Sequence, residues 1–284
     1  MKKPQWITLI LAVAAIIFLY AFTSGQIFGN NVKKTPETTS TETAGITIDS
    51  ILHHAKERLS VDQANRLTFL ENSITRGDVA NQKLHVFHQL SRFWSDSAKV
   101  FEPYAWYMAE SARLESSENS LTFAAHLFLN NLRSEDNPAL KQWKALQAKD
   151  LFERSLKINP ANDSSAVGLG AVILFGGLGT PMDGIQKIRK VVDEHPDNAY
   201  AQMTLGHASV LSGQMDRAVE RFEKTVQLQP KNLEAILSLA DVYERMGNKT
   251  KAIDSYKKSL AIIEIPGLRQ EVEKRINDLG KNNL

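Results

Sequence analysis

From Ile46 onward, apolar residues recur at intervals of three and four, the period of one face of an α-helix. Ile48, Ile51, Leu52, Ala55 and Leu59 open the pattern. Ser60 followed by Gln63 reads as a capping box and predicts a second helix from that point. Gly77-Asp78 breaks the chain, after which Leu84, Phe87, His88, Phe93 and Trp94 predict an aromatic-rich third helix. Pro103 opens a fourth, carrying Tyr104, Tyr107, Met108 and Leu114, and Leu121, Phe123, Ala124, Leu127 and Phe128 fill a fifth. Asp136-Asn137-Pro138 starts a sixth with its proline in the first turn. Strand-like alternation is absent, so the fold class is all-α, with helices paired as hairpins.

Between Tyr200 and Leu260 one block is written twice, 34 residues apart. Leu205 recurs as Leu239, Gly213 as Gly247, Ala218 as Ala252 and Phe222 as Tyr256. Small residues at Gly206 and Ala218 allow close helix approach, and Leu205 and Phe222 supply the bulk that fills the groove beside them. Pro230 stops the second helix of the block, because it lacks a backbone donor and disfavours helical backbone in the residue before it. The same ending stands at Pro196 and Pro160. Gly184, Ile188 and Val191 precede the first of these, and Ala148, Phe152 and Ser155 the second. The extra length of the Pro160 to Pro196 interval falls in the turn from Phe175 to Pro181. After the last repeat helix, Pro266 introduces a stripe of Leu268, Val272, Ile276 and Leu279 on an otherwise charged helix, as a terminal cap with one wet face requires.

This block resembles the tetratricopeptide (TPR) repeat, whose helix-turn-helix unit has the same length of about 34 residues. Three positions depart from the pattern: Gln202 stands for the usual tryptophan, Ser209 for the usual tyrosine, and Glu264 for a fourth proline. The resemblance implies a right-handed solenoid of TPR hairpins over 138–265, capped by a helix over 266–284 and preceded by degenerate helical-hairpin repeats over 46–137. It further implies a concave face lined by the first helix of each unit. In this register that face receives Val167, Ala171 and Leu174, then Tyr200, Met203, His207 and Val210, then Leu237 and Asp241. A mostly apolar groove containing methionine suits an amphipathic helix or an extended segment of a protein partner. TPR modules that grip a peptide's terminal carboxylate use Lys, Asn and Arg at these positions. Met, His, Leu and Asp stand there instead, so no such clamp is expected.

The amino-terminal stretch adds a membrane to this picture. After Met1-Lys2-Lys3-Pro4-Gln5, the run from Trp6 to Phe22 is apolar apart from Thr8. Seventeen residues rise about 26 Å as a helix, close to the ~30 Å hydrocarbon core, and the uncharged flank to Phe28 extends it. A signal anchor over 6–24 is expected, following a short cytoplasmic tail at 1–5. The rival reading is a cleaved signal peptide ending near Thr23-Ser24-Gly25. Residues 25–45 are rich in Thr, Ser, Glu and Asn and predict a flexible spacer. Lys2 and Lys3 favour a cytoplasmic amino terminus, which places the bulk of the chain in the periplasm if the source is bacterial, with a single pass through the inner membrane.

Composition narrows the chemistry. The net charge of +2 over 284 residues points to no polyanionic partner, so nucleic acid is disfavoured. With no cysteine there is neither a disulfide framework nor a thiolate nucleophile. His53-His54 and the pair His85 and His88 have helical metal-ligand spacing, but nothing in the sequence completes a ligand set. Gly176-Gly177-Leu178-Gly179 lacks the strand and lysine of a phosphate loop and reads as a turn. No catalytic residue, cofactor or metal is therefore assigned. The function that follows is a membrane-anchored scaffold that binds other proteins, similar in layout to bacterial TPR proteins of cytochrome c maturation or envelope assembly. The alternatives are a self-assembling structural protein and a TPR accessory of an envelope enzyme.

Overall fold

The computed structural model describes residues 46–75 and 80–281. The expected tail at 1–5, membrane span at 6–24 and spacer at 25–45 lie outside the described residues, as does the Gly77-Asp78 break. The described residues form thirteen α-helices, one π-helix and no strand. None of these helices is long and apolar enough to cross a membrane. The order begins with α1 (Ile48–Lys56), α2 (Val61–Thr75), α3 (Ala80–Arg92), the π-helix (Phe93–Ala98) and α4 (Phe101–Glu115). It continues with α5 (Glu118–Leu132), α6 (Pro138–Ile158), α7 (Asp163–Gly176) and α8 (Pro181–Glu194). It ends with α9 (Ala199–Leu211), α10 (Met215–Leu228), α11 (Leu233–Arg245), α12 (Lys249–Leu260) and α13 (Pro266–Lys281).

Consecutive helices pack as hairpins, α5 on α6, α7 on α8, α9 on α10 and α11 on α12, and each hairpin stacks on the next. The hairpin completed by α6 therefore begins at Glu118. One turn is used three times between hairpins. The residue before the proline (Asn159, His195 or Gln229) closes the preceding helix by donating its N–H to Ser155, Val191 or Thr225 at 2.9, 2.7 and 2.8 Å. Two residues after it, Asn162, Asn198 or Asn232 accepts from the third N–H of the next helix at 2.8, 3.0 and 3.0 Å. Proline ends one helix and asparagine caps the next, so these three junctions are closed by the same pair of contacts.

The expected capping box at Ser60 is formed, with Gln63 N–H donating to Ser60 Oγ at 3.3 Å and Ser60 N–H to Gln63 Oε1 at 3.0 Å. The aromatic third helix is shorter than its pattern suggests. After Arg92 the chain widens into the π-helix, which buries the neighbours Phe93 and Trp94 together. Within it the two rings meet edge to face, with centroids 5.3 Å apart. Gln63 Nε2 donates to the Ser97 carbonyl at 2.8 Å and holds this wider turn against α2.

Small residues set the crossing of α7 and α8. A Cβ on Gly184 would stand 2.5 Å from the Gly170 carbonyl oxygen, and one on Gly170 would stand 2.7 Å from that of Gly184. Both obstacles are backbone and cannot rotate away. Gly184→Ala is expected to cost about 1–3 kcal/mol by overpacking, read as a lower urea midpoint at unchanged helical content.

A buried cation ties α4, α5 and α6 together. Lys144 is only 1% exposed, and its Nζ lies 2.8 Å from Glu102, 2.5 Å from Glu135 and 2.5 Å from Asn131 Oδ1. The ammonium also faces the Phe101 ring at 5.3 Å. Burial pushes the Glu135 carboxyl upward, but hydrogen bonds from Lys144 and the Asn137 N–H outweigh it, and the carboxyl is held below the usual range. At the far end, α13 buries Val272 and Leu279 and half-buries Leu268 and Ile276, the stripe expected of a cap. Arg275 pairs with Glu244, which also accepts from the Tyr256 hydroxyl at 3.1 Å.

Candidate functional site

The first helices of successive hairpins, α5, α7 and α9, meet along the inner side of the stack. Where α7 ends, a cleft of about 710 Å³ opens against α9 and α11. Leu174 and Phe175 of α7, Val210 and Leu211 of α9, and Leu237 of α11 give it an apolar lining, with the edge of Phe222 behind. Leu211 is 69% exposed, an area of apolar surface left open to a ligand. His207 and Val210 are three apart on α9, and Leu237 and Asp241 four apart on α11, so each pair shares a helix face.

The rim is charged. Arg133, just past α5, Lys141 in the first turns of α6, and Arg245 at the end of α11 all line the cleft, with Ser238 and Asp241 between them. Arg245 Nε pairs with Asp241 on its own helix at 2.8 Å. Arg133 reaches across to Glu234 at 3.0 Å, 101 residues along the chain, while its guanidinium covers the Phe175 ring at 5.6 Å. The same Glu234 oxygen lies 3.2 Å from His207 Nε2. The hydrogen bond from His207 lowers the Glu234 carboxyl below its usual value, and the charge of Arg133 adds to this against the opposing effect of burial.

Of the nine positions expected on the groove, Leu174, His207, Val210, Leu237 and Asp241 line this cleft together. Tyr200 and Met203 are half-buried on α9 outside it. Tyr200 stacks edge-on to His126 at 5.5 Å, and burial raises its hydroxyl well above the ordinary tyrosine range. Val167 and Ala171 are corrected: both are sealed in the core, because the turns of α7 that carry them pack against neighbouring helices and offer no surface. Arg133, Lys141, Phe175, Leu211, Ser238 and Arg245 were not expected there. Arg133 and Lys141 belong to elements before the clearest repeat, and no local pattern marks them as neighbours of α11.

The remaining histidines are engaged in packing and polar pairs. His126 Nε2 meets Ser164 Oγ at 2.9 Å, its ring stacks on Phe152 at 5.1 Å, and burial lowers its pKa. His88 meets Glu115 at 3.1 Å and His54 meets Glu57 at 3.3 Å. Among the described residues no three His, Cys, Asp or Glu side chains gather as a metal site. The glycine run forms the turn between α7 and α8, with Gly177 left-handed at φ 67°.

Stacked hairpins with a cleft on the inner face define a helical-repeat protein. Residues 209–261 match the family model described as tetratricopeptide repeat, and the chain carries tetratricopeptide repeats there. A tetratricopeptide repeat protein from Parabacteroides merdae has this fold, with a TM-score of 0.52 and 13% identity over 78% of this chain and 86% of its own. PilF of Pseudomonas aeruginosa matches with a TM-score of 0.48 and 14% identity, over 72% and 87% of the two chains. MamA of Desulfovibrio magneticus RS-1 matches with a TM-score of 0.43 and 21% identity, over 66% and 96%. At such identities the likeness is one of fold. No curated protein sequence matches the chain.

Proposed function

We propose that this chain is a non-catalytic scaffold that docks a segment of a partner protein in the cleft between α7, α9 and α11. The observation that carries this reading is the convergence of Leu174, Val210 and Leu237 with the exposed Leu211 on one concave surface. A groove of this kind seats apolar side chains of an amphipathic helix or extended segment, and its polar rim orients them. The apolar run from Trp6 to Phe22 supports anchorage of the scaffold in a bacterial inner membrane, with the repeats in the periplasm. There it would serve cytochrome c maturation or envelope protein assembly.

Crosslinking in membranes of the source cell tests the docking reading. Val210→Glu combined with Leu237→Glu is expected to abolish partner crosslinks while helicity and melting stay near those of the unaltered chain. Crosslinks that persist unchanged would remove the cleft from consideration. Protease added to intact spheroplasts tests the location: digestion of the repeats agrees with a periplasmic body, and full protection refutes it.

A further inference from the structure

The charge around the cleft points to the chemistry of its occupant. We propose that the docked protein segment places a carboxylate side chain on Lys141, beside an apolar side chain seated on Leu174, Val210 and Leu237. This rests on the protein-docking reading of the same cleft and goes further by naming what is read.

Three cations and one acid line the cleft. Arg245 is balanced by Asp241 at 2.8 Å and Arg133 by Glu234 at 3.0 Å. Lys141 is half-buried at the rim, and among the described residues no carboxylate pairs with it. An ammonium at the rim of an apolar cleft, partly withdrawn from water, attracts an anionic group more strongly than a fully solvated lysine does. A basic segment would meet Lys141 and Arg245 at the same rim and be disfavoured, so the arrangement selects by repulsion as well as attraction. Glu234 illustrates the preference from within the chain. Its carboxylate already occupies Arg133 and His207 at the mouth of the cleft, as a ligand's acidic group could. An incoming carboxylate competes with Glu234 for Arg133 while Lys141 remains available to it alone. The cations come from the end of α5, from α6 and from the last turn of α11, so the reader is assembled across hairpins.

Selection of a phage library of random peptides on the full chain, followed by anisotropy titration of enriched peptides, tests this. Enriched sequences are expected to carry Asp or Glu beside a large apolar residue. Lys141→Glu should weaken such a peptide by roughly tenfold at low salt, with a smaller difference at high salt, and Lys141→Gln by an intermediate factor. Glu234→Gln should tighten binding severalfold by freeing Arg133. Circular dichroism of each variant shows whether the helices are intact. Peptides that need Leu237 but show no acidic bias, or that bind Lys141→Glu as tightly, would overturn the proposal and leave the docking cleft standing. Absence of any peptide whose binding depends on Leu237 would overturn both.

Discussion

Replacing Lys144 with methionine is expected to cost about 3–5 kcal/mol, because it leaves two carboxylates facing each other in a partly buried site without their cation. Nζ is the shared partner of Glu102, Glu135 and Asn131, which belong to α4, the segment after α5, and α5 itself. The loss should therefore appear as weaker coupling between hairpins, seen in urea unfolding followed by circular dichroism. Adding Glu102→Gln and Glu135→Gln to Lys144→Met removes the stranded charges and should recover much of the stability, since a buried ion pair and a neutral replacement are often close in energy. Equal loss in the single and triple variants would assign the effect to packing of the lysine stem instead. The pH dependence has a defined sign. The Glu135 carboxyl is held below 4.5 in the folded chain, so its contribution is fully present above that value and is lost as pH falls through the lowered one. That acid-side loss should be smaller when Lys144 is methionine.

Phe152→Ala is expected to be comparably damaging, about 3–5 kcal/mol. The ring is fully buried, stacks edge-on to His126 at 5.1 Å and lies directly against Gly168. A Cβ on Gly168 would stand 2.3 Å from the tip of the ring, so the glycine is the hollow into which the phenyl fits. Truncating the ring opens a cavity between α6 and α7, whereas Gly168→Ala overfills the same place. The two changes should compensate. Phe152→Leu with Gly168→Ala should be more stable than the sum of the single effects, and a double-mutant cycle that shows no coupling would contradict this packing. The unit formed by α9 and α10 repeats the device, with Phe222 against Gly206 and His207 stacked on the ring at 5.1 Å.

That repetition explains how much was readable beforehand. Ala218, Phe222 and Thr225, and their counterparts before Pro196 and Pro160, mark helix faces by spacing alone, and they are buried in the structure. The Ser60 capping box and the proline stops depend on residues at most a few positions apart. The π-helix did not show in advance, because two adjacent apolar residues such as Phe93 and Trp94 are equally compatible with a regular α-helix, as Leu151 and Phe152 show. Of the groove, Leu174, His207, Val210, Leu237 and Asp241 follow from the repeat register, whereas Val167 and Ala171 share that register and are covered by neighbouring helices, and Tyr200 and Met203 lie outside the cleft.

The helices, most of their ends, the repeat length and the apolar faces are legible in the residues alone, because these rest on interactions within about four residues or one repeat offset. Which inner-face residues stay open, the burial of Lys144 as a tie, and the meeting of Arg133 and Lys141 with α11 in one cleft emerge from the packing of the hairpins. Those outcomes depend on how each hairpin is angled on the last. Arg133 and Glu234 are 101 residues apart, and only the stacking of the intervening hairpins brings them together.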